Sequence, residues 1–219
     1  MLIRTLPKYV VDEYRYRKIA KKFRHWSMVE KATYINNLRL AARVKDVPGA
    51  IVECGTWRGG MIAGIADVLG SDRRYYLFDS YEGLPPAQKI DGDRAIAWQA
   101  DKSAPGYYNN CAASEEEARE AMSKSSARDY RIIKGWFDAT LSKMDPNEKI
   151  ALLRLDADWY DSTKCILDNF AERVVPGGTI IVDDYHTWEG CTVAVNEHAA
   201  AHKWRIQQSK YAGVCYITK

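Results

Sequence analysis

No run in the sequence approaches the roughly 18 consecutive apolar residues that a membrane-spanning helix needs, and residues 1–22 hold no apolar h-region. The expectation is a cytoplasmic protein without a membrane partner. No Cys-x-x-Cys occurs, and the five cysteines (Cys54, Cys111, Cys165, Cys191, Cys215) are scattered and odd in number. That argues against a disulfide framework and suggests free thiols in a reducing compartment. Charge of one sign is scarce too. The net charge is +3, too little for the phosphate footprint of a nucleic-acid partner. The dinucleotide fingerprint Gly-x-Gly-x-x-Gly is missing, which disfavours a nicotinamide oxidoreductase. There is no internal repeat, no low-complexity tract and no second core, so 219 residues amount to one α/β domain with additions.

What is present starts at residues 51–60, IVECGTWRGG. An apolar run ends in the acid Glu53, three glycines follow (Gly55, Gly59, Gly60), and a helical pattern begins. Glycines at a strand-to-helix turn let backbone approach a ligand closely. The helix start behind them offers unpaired N–H groups. In an open α/β sheet, ligands bind in this crevice at the carboxyl ends of the strands.

The rest of the chain repeats the pattern. Strands are expected over 50–55, 74–78, 130–134, 150–155 and 179–182, and two more over 204–208 and 214–218 form an antiparallel pair at the C-terminus. Helices are expected within 1–24, over 28–44 (Val29, Ala32, Ile35, Leu38 and Ala42 at helical spacing), over 60–69, after Asp161-Ser162 as a cap, and over 189–202. Pro176-Gly177-Gly178 reads as a stop signal. Residues 85–129 form a long polar insertion, and Ser114 with Glu117 makes a capping box that opens a helix through Ser123. Trp98, Tyr107 and Tyr108 in the insertion either meet substrate or pack it onto the body. The expected architecture is a doubly wound, Rossmann-like sheet of seven strands with an antiparallel C-terminal hairpin. Residues 1–47 form a helical extension, serving as a lid or an oligomer arm, and 48–219 form the main domain with its inserted lid at 85–129.

Chemistry gathers at the strand ends. Asp79 follows the second strand, where an acid can hydrogen-bond both hydroxyls of a ribose; the alternative is a turn residue. Asp156 and Asp158 end the fourth strand, and Asp183 and Asp184 end the fifth, its expected neighbour. Carboxylates this close raise one another's pKa unless a cation holds them. An all-oxygen set suits Mg²⁺, Mn²⁺ or Ca²⁺ rather than zinc. For Asp156, Asp183 and Asp184 a metal is the favoured reading, while Asp158 and Asp161 read as helix caps.

Five blocks in register, at residues 53–60, 79–86, 135–137, 155–163 and 177–185, resemble the macrocin O-methyltransferase family. The resemblance implies a class I O-methyltransferase that uses S-adenosylmethionine (SAM) and Mg²⁺ and acts on a hydroxyl of a small molecule, often a sugar on a natural product. It implies that Glu53, Gly55, Thr56 and Gly59 line the methionine end of SAM. Asp79 and Ser80 would hold the ribose, and Trp136 and Phe137 would border the adenine. Asp156, Asp183 and Asp184 would bind the metal, with Asp156 also touching cofactor and acting as base. A homo-oligomer is implied as well. The related catechol methyltransferases carry a lysine base three positions after the first metal aspartate; this chain has Trp159 there. A non-sugar acceptor, or a SAM-binding protein without turnover, is the competing expectation.

Overall fold

The computed structural model describes residues 8–104 and 106–219. The first seven residues of the expected N-terminal helix, and Pro105 of the insertion, lie outside that set. The apolar runs become strands: β1 Ala50–Cys54, β2 Arg74–Asp79, β3 Asp129–Lys134, β4 Ile150–Leu155, β5 Val174–Val182, β6 Gln207–Gln208 and β7 Cys215–Thr218. Their order is β3-β2-β1-β4-β5-β7-β6. β1 to β5 run parallel, and β7 lies antiparallel to both β5 and β6. β1 and β4 are buried at every position, as befits strands covered on both faces. Strand order reverses between β1 and β4, which opens a crevice at their carboxyl ends.

The helices are α1 Lys8–Lys22, α2 Lys31–Ala42, α3 Gly60–Leu69, α4 Asp93–Ala100, α5 Glu115–Ser123, α6 Phe137–Thr140, α7 Tyr160–Phe170 and α8 Glu189–His202. Alternation along each strand divides the core in two. Ile51, Leu77 and Leu152 meet Leu38, Ile62 and Met122 on the side of α2, α3 and α5. Val52, Phe78 and Leu153 meet Ala95, Ile166 and Val195 on the side of α4, α7 and α8. The N-terminal extension is docked. Tyr16, Ile19, Ala20 and Phe23 are buried in the first cluster, and Lys22 pairs with Asp67 of α3 at 2.6 Å. No described helix is long and apolar enough to cross a membrane.

Several boundaries differ from expectation, each for a local reason. α2 begins at Lys31 behind an extended Glu30, which frees Met28 and Val29 to line the crevice. β5 starts at Val174, so Pro176-Gly177-Gly178 lies inside the strand, as a bulge between the pairs Ile150↔Val174 and Leu152↔Thr179. The C-terminal strands are shorter than expected because residues 204–206 lie outside the ladder. α7 starts at Tyr160, with Asp161 in its first turn rather than capping it. The cap comes from the insertion: Asp91 Oδ1 accepts the Tyr160 N–H at 2.7 Å, and Asp91 Oδ2 accepts the Gln88 N–H at 2.7 Å. The Ser114–Glu117 capping box forms as expected, whereas α4 had no sequence signal.

Candidate functional site

The crevice encloses about 230 Å³ and is lined from every parallel strand end. β1 contributes Gly55 and Trp57, β2 Asp79 and Ser80, β3 Trp136 and Phe137, β4 Asp156 and Asp158, and β5 Asp183 and Asp184. Gly55 has φ +83°, and a Cβ there would stand 1.8 Å from the Asp156 carbonyl oxygen. Glycine is therefore what lets the β1 and β4 loops touch.

Of the residues expected around SAM, Gly55, Asp79, Ser80, Trp136, Phe137 and Asp156 share this crevice; Glu53, Thr56 and Gly59 do not line it. Glu53 is 1 % exposed and lies beneath the floor. Thr56 is buried, its hydroxyl 3.3 Å from that of Tyr81. Gly59, with φ +75°, abuts Ala118 of α5, so it serves a tight turn and helix packing. Asp79 is committed to backbone. It accepts N–H groups from Thr56 (2.8 Å), Trp57 (2.7 Å) and Tyr81 (2.7 Å), tying the β1 loop to the β2 loop. Burial raises its pKa while those three bonds lower it. Ser80 donates to the Gly83 carbonyl at 2.9 Å and accepts the Glu82 N–H at 3.1 Å. Trp136 stands 39 % exposed at the rim beside half-buried Phe137.

Behind the acids sits Arg154, 1 % exposed, which in the sequence is only an interruption of an apolar run. Its Nη1 donates to Glu53 at 2.7 Å and to Asp156 Oδ2 at 2.9 Å, and its Nε donates to Asn37 Oδ1 at 3.0 Å. Nη2 pairs with Asp183 Oδ1 at 2.7 Å without hydrogen-bond alignment. Asn37 Nδ2 also donates to that Asp183 oxygen, at 3.1 Å. Glu53 and Arg154 are direct partners in the β1–β4 register, a pairing that only the structure displays. One guanidinium thus faces Glu53, Asp156 and Asp183, and two more acids stand close by. Asp184 accepts the Asp158 N–H at 3.1 Å, and Asp158 accepts the Trp188 indole N–H at 2.8 Å. Asp158 therefore belongs to the site and does not cap α7.

The electrostatics follow from burial. Burial pushes the Glu53 carboxyl up to about 8 against the pull of Arg154. It pushes Asp156 up, again against Arg154, and it pushes Asp158 up with help from Asp156. Asp184 is driven well up by burial and then by Asp158, Asp156 and Asp183. Five carboxyls around one guanidinium leave an excess of negative charge, and an oxygen-only donor set of that kind fits a hard divalent cation. As the side chains stand, no three acid, histidine or cysteine groups among the described residues converge as a ready-made cage. Arg154 has drawn one oxygen each of Asp156 and Asp183 inward.

A family model described as macrocin O-methyltransferase (TylF) matches residues 15–216. The chain belongs to this family. It is 36 % identical over 163 residues to demethyldecarbamoylnovobiocin O-methyltransferase of Streptomyces niveus, covering 71 % of this chain and 60 % of that protein. It is 34 % identical over 158 residues to 8-demethyl-8-(2,3-dimethoxy-alpha-L-rhamnosyl)-tetracenomycin-C 4'-O-methyltransferase of Streptomyces olivaceus, covering 69 % of this chain and 58 % of that one. The chain thus spans about three fifths of the length of these curated relatives. Among solved structures it is similar to the O-methyltransferase NovP, with a TM-score of 0.70, 29 % identity and coverage of 89 % of this chain and 82 % of that one.

This member of the macrocin O-methyltransferase family roofs its crevice with the insertion. Trp98 packs among Tyr107, Trp159 and Trp188 at ring-centroid distances of 5.6, 6.2 and 5.7 Å. The Trp159 indole N–H donates to the Pro85 carbonyl at 2.8 Å. Trp98 and Tyr107 therefore fasten the insertion to the body, whereas Tyr108 is 53 % exposed. Residues 108–111 all have positive φ, between 47° and 60°. Such a left-handed turn costs non-glycine residues energy, and it aims Cys111 into the crevice. Asn110 clips the turn down: its carbonyl accepts the Leu84 N–H at 3.0 Å and its Nδ2 donates to the Leu84 carbonyl at 2.8 Å.

Proposed function

We propose that this protein transfers the methyl group of SAM to a hydroxyl of a small molecule, a sugar or a glycosylated natural product. The observation that carries the reading is family membership across residues 15–216, combined with a crevice that gathers the β1 glycine turn and the β4 and β5 aspartates. The tetracenomycin relative is named for action on a rhamnosyl-bearing compound, which supports the acceptor class.

SAM would lie along the ends of β1, β2 and β3. Gly55 lines the end that would take its methionine, and Trp136 and Phe137 line the end that would take its adenine. Asp79 holds the two loops that shape the pocket, and its carboxylate has one acceptor position left for a ribose hydroxyl. Asp156, Asp183 and Asp184 would hold Mg²⁺ or another divalent cation, which when bound supplies Lewis acidity toward the acceptor oxygen. Arg154 pairs with Asp156 and Asp183 and so orients them.

Between the two candidate bases, Asp158 is better set to take the acceptor's proton than Asp156. Asp156 gives one oxygen to the buried guanidinium of Arg154. Asp158 rests one oxygen on Trp188 and turns into the crevice. A positioned base of this kind contributes roughly 10²–10⁴-fold, and holding the two reactants in line contributes more. The test is incubation of the purified chain with labelled SAM and a panel of glycosylated and phenolic acceptors, with and without EDTA. Label is expected in a glycosylated acceptor and is lost with EDTA. Label only in phenols overturns the acceptor class, undiminished turnover in EDTA overturns the metal, and no transfer to any acceptor overturns the reading.

A further inference from the structure

A second cavity of about 560 Å³ lies beside the crevice, where α1 turns into α2. Arg17, Lys18, Lys21, Arg24 and Lys31 line it, with Tyr14 at its rim. Among the described residues only Arg17 of these five has a carboxylate partner, Glu13 at 3.0 Å, and Glu13 is shared with Arg39. Lys18 lies over the Tyr14 ring at 4.5 Å. The other three cations are exposed and face no described acid within salt-bridge distance. A chain with a net charge of only +3 has thus collected an excess of cations in one concavity.

Two further observations point the same way. α2 begins at this groove with Lys31 in its first turn, no acid in that turn, and no side chain capping its N–H groups. A cation at the positive end of a helix is unfavourable, and an anion placed there relieves it. Val29 lines both the groove and the reaction crevice, so the two cavities meet at one side chain. Val29 would be the point at which an acceptor held at Asp158 passes from one cavity to the other.

We propose that the groove between α1 and α2 binds a phosphate or diphosphate group carried by the acceptor, so that the substrate is a phosphorylated or nucleotide-linked hydroxyl compound. This rests on the methyltransferase reading and narrows its acceptor class. Lys21 and Arg24 approach from the C-terminal end of α1 and the turn after it, Lys31 and the free N–H groups from the start of α2. Arginine can grip phosphate oxygens in pairs, and lysine supplies point charge.

The test is calorimetric titration of the full chain with inorganic pyrophosphate and with a nucleoside 5'-diphosphate, at low and at raised salt. Wild type is expected to bind both saturably, more weakly as salt screens the charges. The variant Lys21→Gln/Arg24→Gln/Lys31→Gln is expected to bind at least about tenfold more weakly, each substitution removing a charge-assisted contact. Its SAM affinity and unfolding midpoint stay unchanged, because all three side chains are exposed. Tighter binding of the nucleoside diphosphate than of pyrophosphate adds the base to the recognised group. Absence of saturable binding, or equal binding by wild type and variant, overturns the proposal. So does binding of anionic vesicles or a single-stranded oligonucleotide by wild type when neither diphosphate binds. Because the readout is affinity and not turnover, a chain that binds pyrophosphate but methylates nothing rejects the function reading and leaves the groove standing.

Discussion

Arg154 is the residue on which the site turns. Among the described residues it is the one guanidinium that faces Glu53, Asp156 and Asp183, and it is sealed from water. Breaking a buried pair by removing one partner leaves an uncompensated charge, at about 3–5 kcal/mol. Arg154→Met is therefore expected to lose about that much in urea unfolding. Adding Glu53→Gln should return part of it, since the double variant no longer buries the acid that Arg154 neutralised. A double variant no more stable than the single one would mean that Glu53 is not that acid. Asp158→Asn tests the base separately. It keeps the shape and the acceptor oxygen for Trp188, so SAM affinity should hold while kcat falls roughly 10²–10⁴-fold. An unchanged kcat would return the role to Asp156. The aspartates at the ends of β4 and β5 were legible because an acid ending an apolar strand stands out. Arg154 was not, because a charge inside an apolar run looks like a blemish until the neighbouring strand shows Glu53 opposite it.

At the scale of elements, the insertion does more than cover. Asp91 supplies the N-terminal bond of α7 from 69 positions away, while its other oxygen closes the turn at Gln88. Gly190 of α8 sits close enough to Asp91 that a Cβ there would meet its carboxylate at 2.1 Å. Asp91→Ala should cost about 0.5–2 kcal/mol, the usual loss for a cap. It should also loosen the segment before α4, and hydrogen exchange would show Tyr160 and residues 88–92 losing protection together. Protection lost at Tyr160 alone would mean that the insertion is held by its aromatics without Asp91. These long-range links explain what the sequence concealed. α3, β4, α8 and the capped α5 were legible from apolar runs, glycine turns and the Ser114–Glu117 box. α4 was not, because only Ala95 of its residues is buried and no helical stripe appears. The start of α7 was misplaced because its cap lies in another segment.

Over the whole molecule, the sheet concentrates like charge at one end, and that shapes stability against pH. Glu53 is raised to about 8, and Asp156, Asp158 and Asp184 are raised chiefly by burial. A carboxyl whose folded pKa exceeds its unfolded one binds more protons in the fold, so its contribution is complete below the unfolded value and drains away as pH rises through the folded value. The window runs from the ordinary carboxylate range, 3.8 to 4.5, up to about 8. Without divalent ions, the urea midpoint should therefore fall as pH is raised from about 5.5 to about 8.5, opposite to the usual loss of paired carboxylates in acid. A cation that binds only the folded acids restores stability by mass action, about 2.7 kcal/mol at a hundred times its Kd. Millimolar Mg²⁺ should accordingly flatten the fall in wild type and leave it in Asp183→Asn/Asp184→Asn. A midpoint that rises over this range would show that Arg154 alone balances the acids. A falling midpoint indifferent to Mg²⁺ would place the excess charge here without the ion.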